Sequence, residues 1–133
     1  MEKMKVLLVE PLEKPRVVEI DHSLETMQKT VGGTIACTYP WDDPVGLVHC
    51  DDALALGYPL NRMLKDESGN VYDIVPGTFF IAGLTEDSFG SLTDELIQRF
   101  TDLFRYPEMY VRNYDGHVIC FKIGSNEEPS RIV

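Results

Sequence analysis

Apolar and polar positions change period several times along the chain, and those changes mark its elements. Lys5-Val-Leu-Leu-Val9 is a short run rich in branched residues. The turn material Glu10-Pro11-Leu-Glu-Lys-Pro15 follows, then Arg16-Val-Val-Glu-Ile20, the pattern of an opening β-hairpin. Asp21-His22-Ser23 offers helix N-cap residues. Leu24, Met27, Gln28 and Val31 then share one helical stripe before Gly32-Gly33, a C-terminal stop. A helix of about two and a half turns is expected there, and one so short must be held by packing.

Two further strand-like runs, Thr34 to Tyr39 and Gly46 to Asp51, flank Pro40-Trp41-Asp42-Asp43-Pro44. Pairing them around Asp42 and Asp43 sets Cys37 opposite Val48. Ile35, Cys37, Tyr39, Val48 and Cys50 then form a core face, while Thr34, Thr38, Leu47, His49 and Asp51 turn to water. From Asp52 to Asn70 the pattern is irregular and reads as a loop with at most a short strand or turn. Val71 to Val75, a Pro76-Gly77 turn and Thr78 to Ala82 supply more strand.

The longest helix is expected from Ser91 to Arg105, with Leu92, Leu96, Ile97, Phe100, Leu103 and Phe104 at helical spacing and Glu95 paired with Arg99. Met109 to Val111 and His117 to Ile123 are late strands around the Asn113-Tyr-Asp-Gly116 turn. The fold class is therefore α+β: a mostly antiparallel, curved sheet with one short and one long helix. Residues 1–124 form one domain, and 125–133 a flexible polar tail.

Charge narrows the classes of function. Twelve Lys and Arg face twenty-two Asp and Glu, a net charge of −10, which repels phosphate backbones and argues against direct nucleic-acid binding. No apolar run approaches the roughly 18 residues of a membrane span, and the first ten residues lack a signal peptide's longer apolar core. A cytoplasmic setting and no membrane partner are expected. Cys37, Cys50 and Cys120 are an odd, widely spaced set without CxxC, and read as reduced, buried thiols.

The chemistry-bearing residues are scattered. No Lys or Arg occurs from Thr30 to Asn61, where Asp42, Asp43, Asp51 and Asp52 stand alone. An extended strand of six residues separates the two Asp pairs by roughly 20 Å, which disfavours one metal site. His49 and Asp51 are the only close ligand pairing on one strand face, too few for a metal, and His49 and Cys50 point to opposite faces. Gly32-Gly33 follows a helix where a phosphate cradle would precede one. No catalytic residue, metal or cofactor is expected. Trp41, flanked by Pro40 and Asp42, is either folded back on the core or exposed as a contact anchor.

Lys5-Val-Leu-Leu-Val-Glu-Pro11, Val31-Gly-Gly33, Tyr39-Pro40, Asn61-Arg62 and Tyr72-Asp-Ile-Val-Pro-Gly-Thr-Phe-Phe-Ile81 resemble the domain-of-unknown-function family numbered 3846, over about residues 4–84. That resemblance implies an accessory protein of a bacteriophage or other mobile element, working inside a bacterial host. It brings no catalytic residues. Arg62 is the first cation after thirty-two residues without one. It could hold a carboxylate or phosphate, or make a structural salt bridge to Asp66 or Asp73.

The leading expectation is an acidic, non-enzymatic interaction protein that binds a host protein with a basic surface, such as a defence or nucleic-acid-processing factor. Trp41, Asp42, Asp43, Asp51, Asp52, Asn61 and Arg62 are its candidate contact residues. The alternative is a nucleotide-binding or sequestering protein, with Asn61, Arg62 and the Pro76 to Thr78 turn lining a pocket. An exposed strand edge or the aromatic flank of the long helix could serve a homodimer.

Overall fold

The computed structural model describes residues 2–132. The chain runs β1 (Lys3–Val9), β2 (Arg16–Asp21), α1 (Leu24–Val31), β3 (Ile35–Thr38), β4 (Val45–Cys50), β5 (Leu60–Lys65) and β6 (Val71–Pro76). It continues with β7 (Phe79–Leu84), β8 (Phe89–Gly90), α2 (Asp94–Leu103), β9 (Glu108–Arg112), β10 (Val118–Lys122) and β11 (Ser130–Arg131). The main sheet has the order β2-β1-β7-β4-β3, with β8 beside β7; β5 and β6 form a separate hairpin, and β11-β10-β9 a third sheet. Every pairing among the described residues is antiparallel, so the architecture is α+β as the pattern implies.

Local chemistry accounts for the elements the pattern marks. The opening hairpin pairs Val6 with Val18. Ser23 caps α1, its hydroxyl accepting from the Thr26 N–H at 3.2 Å, and Gly32 ends the helix at φ 81°, a left-handed conformation that favours glycine. Cys37 lies opposite Val48 in the register the spacing gives. Between β9 and β10, the Asn113 side-chain oxygen accepts from the N–H groups of Asp115 and His117, both at 3.0 Å, which fixes the turn.

The main sheet is covered on both faces, which corrects the water-facing side expected for β4. Met4, Val6 and Leu8 of β1, Val48 and Cys50 of β4, and Phe80 and Ala82 of β7 pack under Met27 and Val31 of α1. The intervening residues Leu7, Val9, Val45, Leu47, Phe79 and Ile81 meet Phe100 and Phe104 at the end of α2, with Leu64 and Val75 from the β5–β6 hairpin. Leu47 is thus fully buried, while Thr34, Thr38 and Asp51 near the sheet's edge remain exposed. Strands buried on both faces read as unbroken apolar runs, as Leu7-Leu8-Val9 and Phe79-Phe80-Ile81-Ala82 do.

Four other expectations change. The segment expected to be mostly loop contains a full strand, β5, paired with β6. The long helix starts at Asp94, capped by Thr93, because Ser91 and Leu92 are drawn onto β1: the Ser91 hydroxyl accepts from the Lys5 N–H, and the Leu92 N–H donates to the Lys5 carbonyl, both at 2.9 Å. The aromatic flank of α2, a candidate dimer surface, is the inside of the fold, with Phe100 and Phe104 buried. The tail from residue 125 does not stay loose: Ser130–Arg131 pairs with β10, and the Ile132 N–H donates to Val118 O at 2.8 Å. Main-chain bonding at a free edge needs no apolar signature, so composition alone hides it. Val133, also assigned to that tail, lies outside the described residues.

Phe100 is fully buried, and its ring lies 4.6 Å from that of Trp41, centroid to centroid. Phe100→Ala is expected to destabilise the protein by about 3–5 kcal/mol. Urea unfolding followed by the fluorescence of Trp41, the one tryptophan, measures it. A loss below about 1 kcal/mol would show that the α2 face of the sheet is not a core.

Candidate functional site

Asn61 and Arg62 are both fully buried in β5, and their polar atoms serve the fold. The Arg62 guanidinium donates from Nε and Nη2 to the Phe104 carbonyl at 3.3 and 3.2 Å, and from Nη2 to the Glu13 carbonyl at 2.7 Å. Its Nη1 donates to Asn61 Oδ1 at 2.8 Å, and Asn61 Nδ2 donates to the carbonyls of Val9 at 2.9 Å and Gly77 at 2.8 Å. Phe104 caps the C-terminus of α2, whose last turn holds no basic residue, so Arg62 supplies the cation that the helix dipole favours there.

The expected salt bridge to Asp66 or Asp73 does not form. Asp66 turns its carboxylate onto the N–H groups of Ser68 and Asn70, both at 2.9 Å, and Asp73 stays exposed, accepting from the Ile74 N–H. Burial pushes the Arg62 pKa down, and the nearby Glu108 carboxylate opposes that shift. Glu108 is itself buried, accepting from the Met63 N–H at 2.8 Å and the Tyr110 hydroxyl. Burial, then that same carboxylate, raises the Tyr110 hydroxyl far above its usual range; burial likewise pushes the Cys120 thiol up to about 11. Nη1 also donates to the Asn61 carbonyl at 3.4 Å, so all five N–H groups of the guanidinium are engaged and Arg62 has no donor left for a ligand. The pocket imagined around Asn61 and Arg62 is therefore a structural junction.

Trp41, Asp42 and Asp43 stand elsewhere, in a cleft of about 590 Å³ between the β3–β4 loop, the tip of the β5–β6 hairpin and α2. Trp41 takes the folded-back option, its ring stacked at a tilt on Phe100 and edge-on to Phe104, with part of the indole left on the cleft wall. Tyr72 and Leu103, each about half exposed, complete the apolar part. Arg99 leaves its expected partner Glu95 and grips Asp43 with two bonds of 2.9 Å, while its guanidinium lies 4.9 Å from the Phe100 ring centroid. A bidentate fork to a carboxylate, backed by an aromatic face, exceeds what an exposed i,i+4 pair offers. The bonded Arg99 holds the Asp43 carboxyl below its usual 3.8.

Four carboxylates, those of Asp42, Asp43, Asp66 and Glu67, share the cleft lining with the two cations Lys65 and Arg99. Asp42 and Glu67 are exposed and make no ion pair among the described residues. No His, Cys or Ser lines the cleft. Asp51 and Asp52 are exposed in the turn beyond the far end of β4 and take no part in it. His49 sits against its neighbour's backbone, with Nδ1 3.2 Å from Cys50 O. Among the described residues no group of three His, Cys, Asp or Glu could hold a metal.

The family profile titled domain of unknown function (DUF3846) matches residues 4–105, which takes in the main sheet, the β5–β6 hairpin and both helices. The chain belongs to the DUF3846 family. The match reaches past the stretch up to residue 84 that the motifs cover, through the end of α2, and stops before β9. No curated protein and no solved structure matches the chain. The residues lining the cleft, and the Asn61-Arg62 pair, lie inside the DUF3846 segment. Sequence reasoning missed Arg99, Tyr72 and Glu67. Their signal was the hairpin turn after Lys65 and an arginine on the long helix that the spacing assigns to Glu95, and neither points to the other without the fold.

Arg62→Met is expected to cost at least about 3 kcal/mol, because a buried charge-assisted network is broken and the helix end loses its cation. Arg62→Lys should recover little, since one ammonium cannot replace the guanidinium fork. Guanidinium chloride unfolding tests both; full stability in Arg62→Lys would mean the fork is not what matters. Asp43→Asn is expected to cost less than about 1 kcal/mol, as the pair with Arg99 is partly exposed. A depressed carboxyl stabilises the fold at pH above 3.8 and loses that contribution as pH falls through its folded value. The stability gap between wild type and Asp43→Asn should therefore close on acidification below pH 4, which unfolding curves between pH 7 and 2 would reveal.

Proposed function

We propose that this DUF3846 member is an acidic, non-enzymatic interaction protein of phage or mobile-element origin. In this reading it acts in the bacterial cytoplasm, and its cleft receives a cationic segment of a host protein. One observation supports the reading above others: an open cleft in which aromatic surface from Trp41 and Tyr72 lies beside the unpaired carboxylates of Asp42 and Glu67. A Lys or Arg side chain from a partner would find both an aromatic face and a carboxylate there, the pair of contacts such cations favour. The net charge of −10 would steer a basic partner toward it and repel nucleic acid. A defence factor or a nucleic-acid-processing protein fits, since either carries a basic surface for its own substrate. The mobile-element setting is what the family resemblance suggests.

A tagged pull-down from bacterial lysate, with and without nuclease and at two salt concentrations, tests this reading. A stoichiometric partner should survive nuclease and weaken at high salt, and the double variant Asp42→Lys, Glu67→Lys should lose it. Both residues are exposed, so the variant should fold and melt as wild type does. Retention of the same partner by the charge-reversed protein would move the interface away from the cleft. Capture only in the absence of nuclease would mean that nucleic acid bridges the two.

A further inference from the structure

A second cavity, of about 460 Å³, opens at the C-terminal end of α2 and shares no lining residue with the acidic cleft. Its charged lining groups are Lys14 from the β1–β2 loop and Arg105 just after α2, with no carboxylate among the lining residues. In a chain with nearly twice as many acids as bases, a cavity lined by two cations and no acid is out of keeping with the surface around it. Thr101 adds a hydroxyl, and Pro15, Tyr106 and Ile123 give the cavity an apolar side. Tyr106 and Ile123 are 38% and 45% exposed, so the ring has a face to offer.

The backbone next to the two cations is anchored from inside. Arg62 Nη2 bonds the carbonyls of Glu13 at 2.7 Å and Phe104 at 3.2 Å, and the next residues along the chain are Lys14 and Arg105. One buried nitrogen thus fixes the backbone on both sides of the cavity mouth. Lys14 makes no ion pair among the described residues. Arg105 reaches back to Asp102, both side chains half exposed, a surface pair of the kind worth little and easily exchanged for a doubly charged anion.

We propose that this cavity binds a free mononucleotide, with its phosphate between Lys14 and Arg105 and its base on the ring of Tyr106. The volume falls in the range of roughly 300–1,000 Å³ typical of small-ligand sites. Base stacking on an exposed tyrosine is a sequence-tolerant contact that complements a phosphate held by two cations. A single nucleotide meets only the cavity, whereas a long nucleic acid would also meet the protein's net charge of −10.

Calorimetric titration of the intact chain at low salt tests the proposal. The probes are the four common ribonucleoside 5′-monophosphates, inorganic phosphate and a single-stranded oligonucleotide. At least one monophosphate should saturate at one per chain and bind more tightly than inorganic phosphate. Lys14→Glu should weaken it by at least about tenfold. Tyr106→Ala should bring the nucleotide down toward the affinity of inorganic phosphate. Unchanged melting temperatures would show that both variants fold. The cleft variant Asp42→Lys, Glu67→Lys should bind nucleotide as wild type does, which separates this site from the proposed protein interface. Saturation by none of the monophosphates, equal binding by Lys14→Glu, or binding of phosphate or oligonucleotide alone would overturn it.

Discussion

A guanidinium without an ion-pair partner, buried among carbonyl oxygens, is what the rest of this structure is arranged around. Arg62 joins the β1–β2 loop to the end of α2, and through Asn61 it reaches the end of β1 and the turn after β6. A buried cation is tolerable only when its donors are spent and its charge is opposed. The carbonyls of Glu13 and Phe104 and the side chain of Asn61 meet the first need. The negative end of the α2 dipole and the nearby Glu108 carboxylate meet the second. Besides Asn61, its neighbour on β5, these groups come from the β1–β2 loop, the end of α2 and β9, so the junction forms only when those elements are in register. It acts as a check on assembly that apolar packing, being non-directional, does not supply.

Local signals in the sequence were reliable wherever the structure is decided locally. Ser23 and Gly32 bound a helix, Asn113 and Gly116 make a hairpin turn, and Cys37 meets Val48, each within one short stretch of chain. What the pattern hid was long-range. The two-sided burial of β4 follows from α2 and the β5–β6 hairpin arriving on a face whose own residues, Leu47 between Thr38 and His49, look half polar. β5 was obscured because Asn61-Arg62 interrupts its apolar run, and three of the partners that let those two residues be buried, Val9, Glu13 and Phe104, lie 42 to 52 positions away.

The candidate sites divide along the same line. Trp41, Asp42 and Asp43 were legible because a tryptophan and two acids in a Pro-flanked loop are rare enough to notice, and they do line a cleft. Asp51 and Asp52 carry the same charge but sit at the other end of β4, where no concavity collects them. Arg62 was noticed for its charge, as a ligand contact or a salt bridge to Asp66 or Asp73, and bonds carbonyls and Asn61 instead. Its influence on any ligand is indirect, through where it holds Lys14 and Arg105.

The segment after residue 105 lies outside the DUF3846 match, yet it completes features that begin inside it. Glu108, the buried carboxylate whose field acts on Arg62, belongs to β9, and the Tyr110 hydroxyl that donates to it lies on the same strand. Glu108 also accepts from the Met63 N–H, which ties this third sheet to β5 beside the guanidinium. The matched segment alone would bury a cation whose charge is opposed only by dipoles. Adding β9 sets an opposite charge in the same low-dielectric interior, where it counts for more than it would at the surface. The C-terminal sheet is therefore part of the electrostatics of the matched fold, and the strand β11 that closes its edge serves the same junction at one remove.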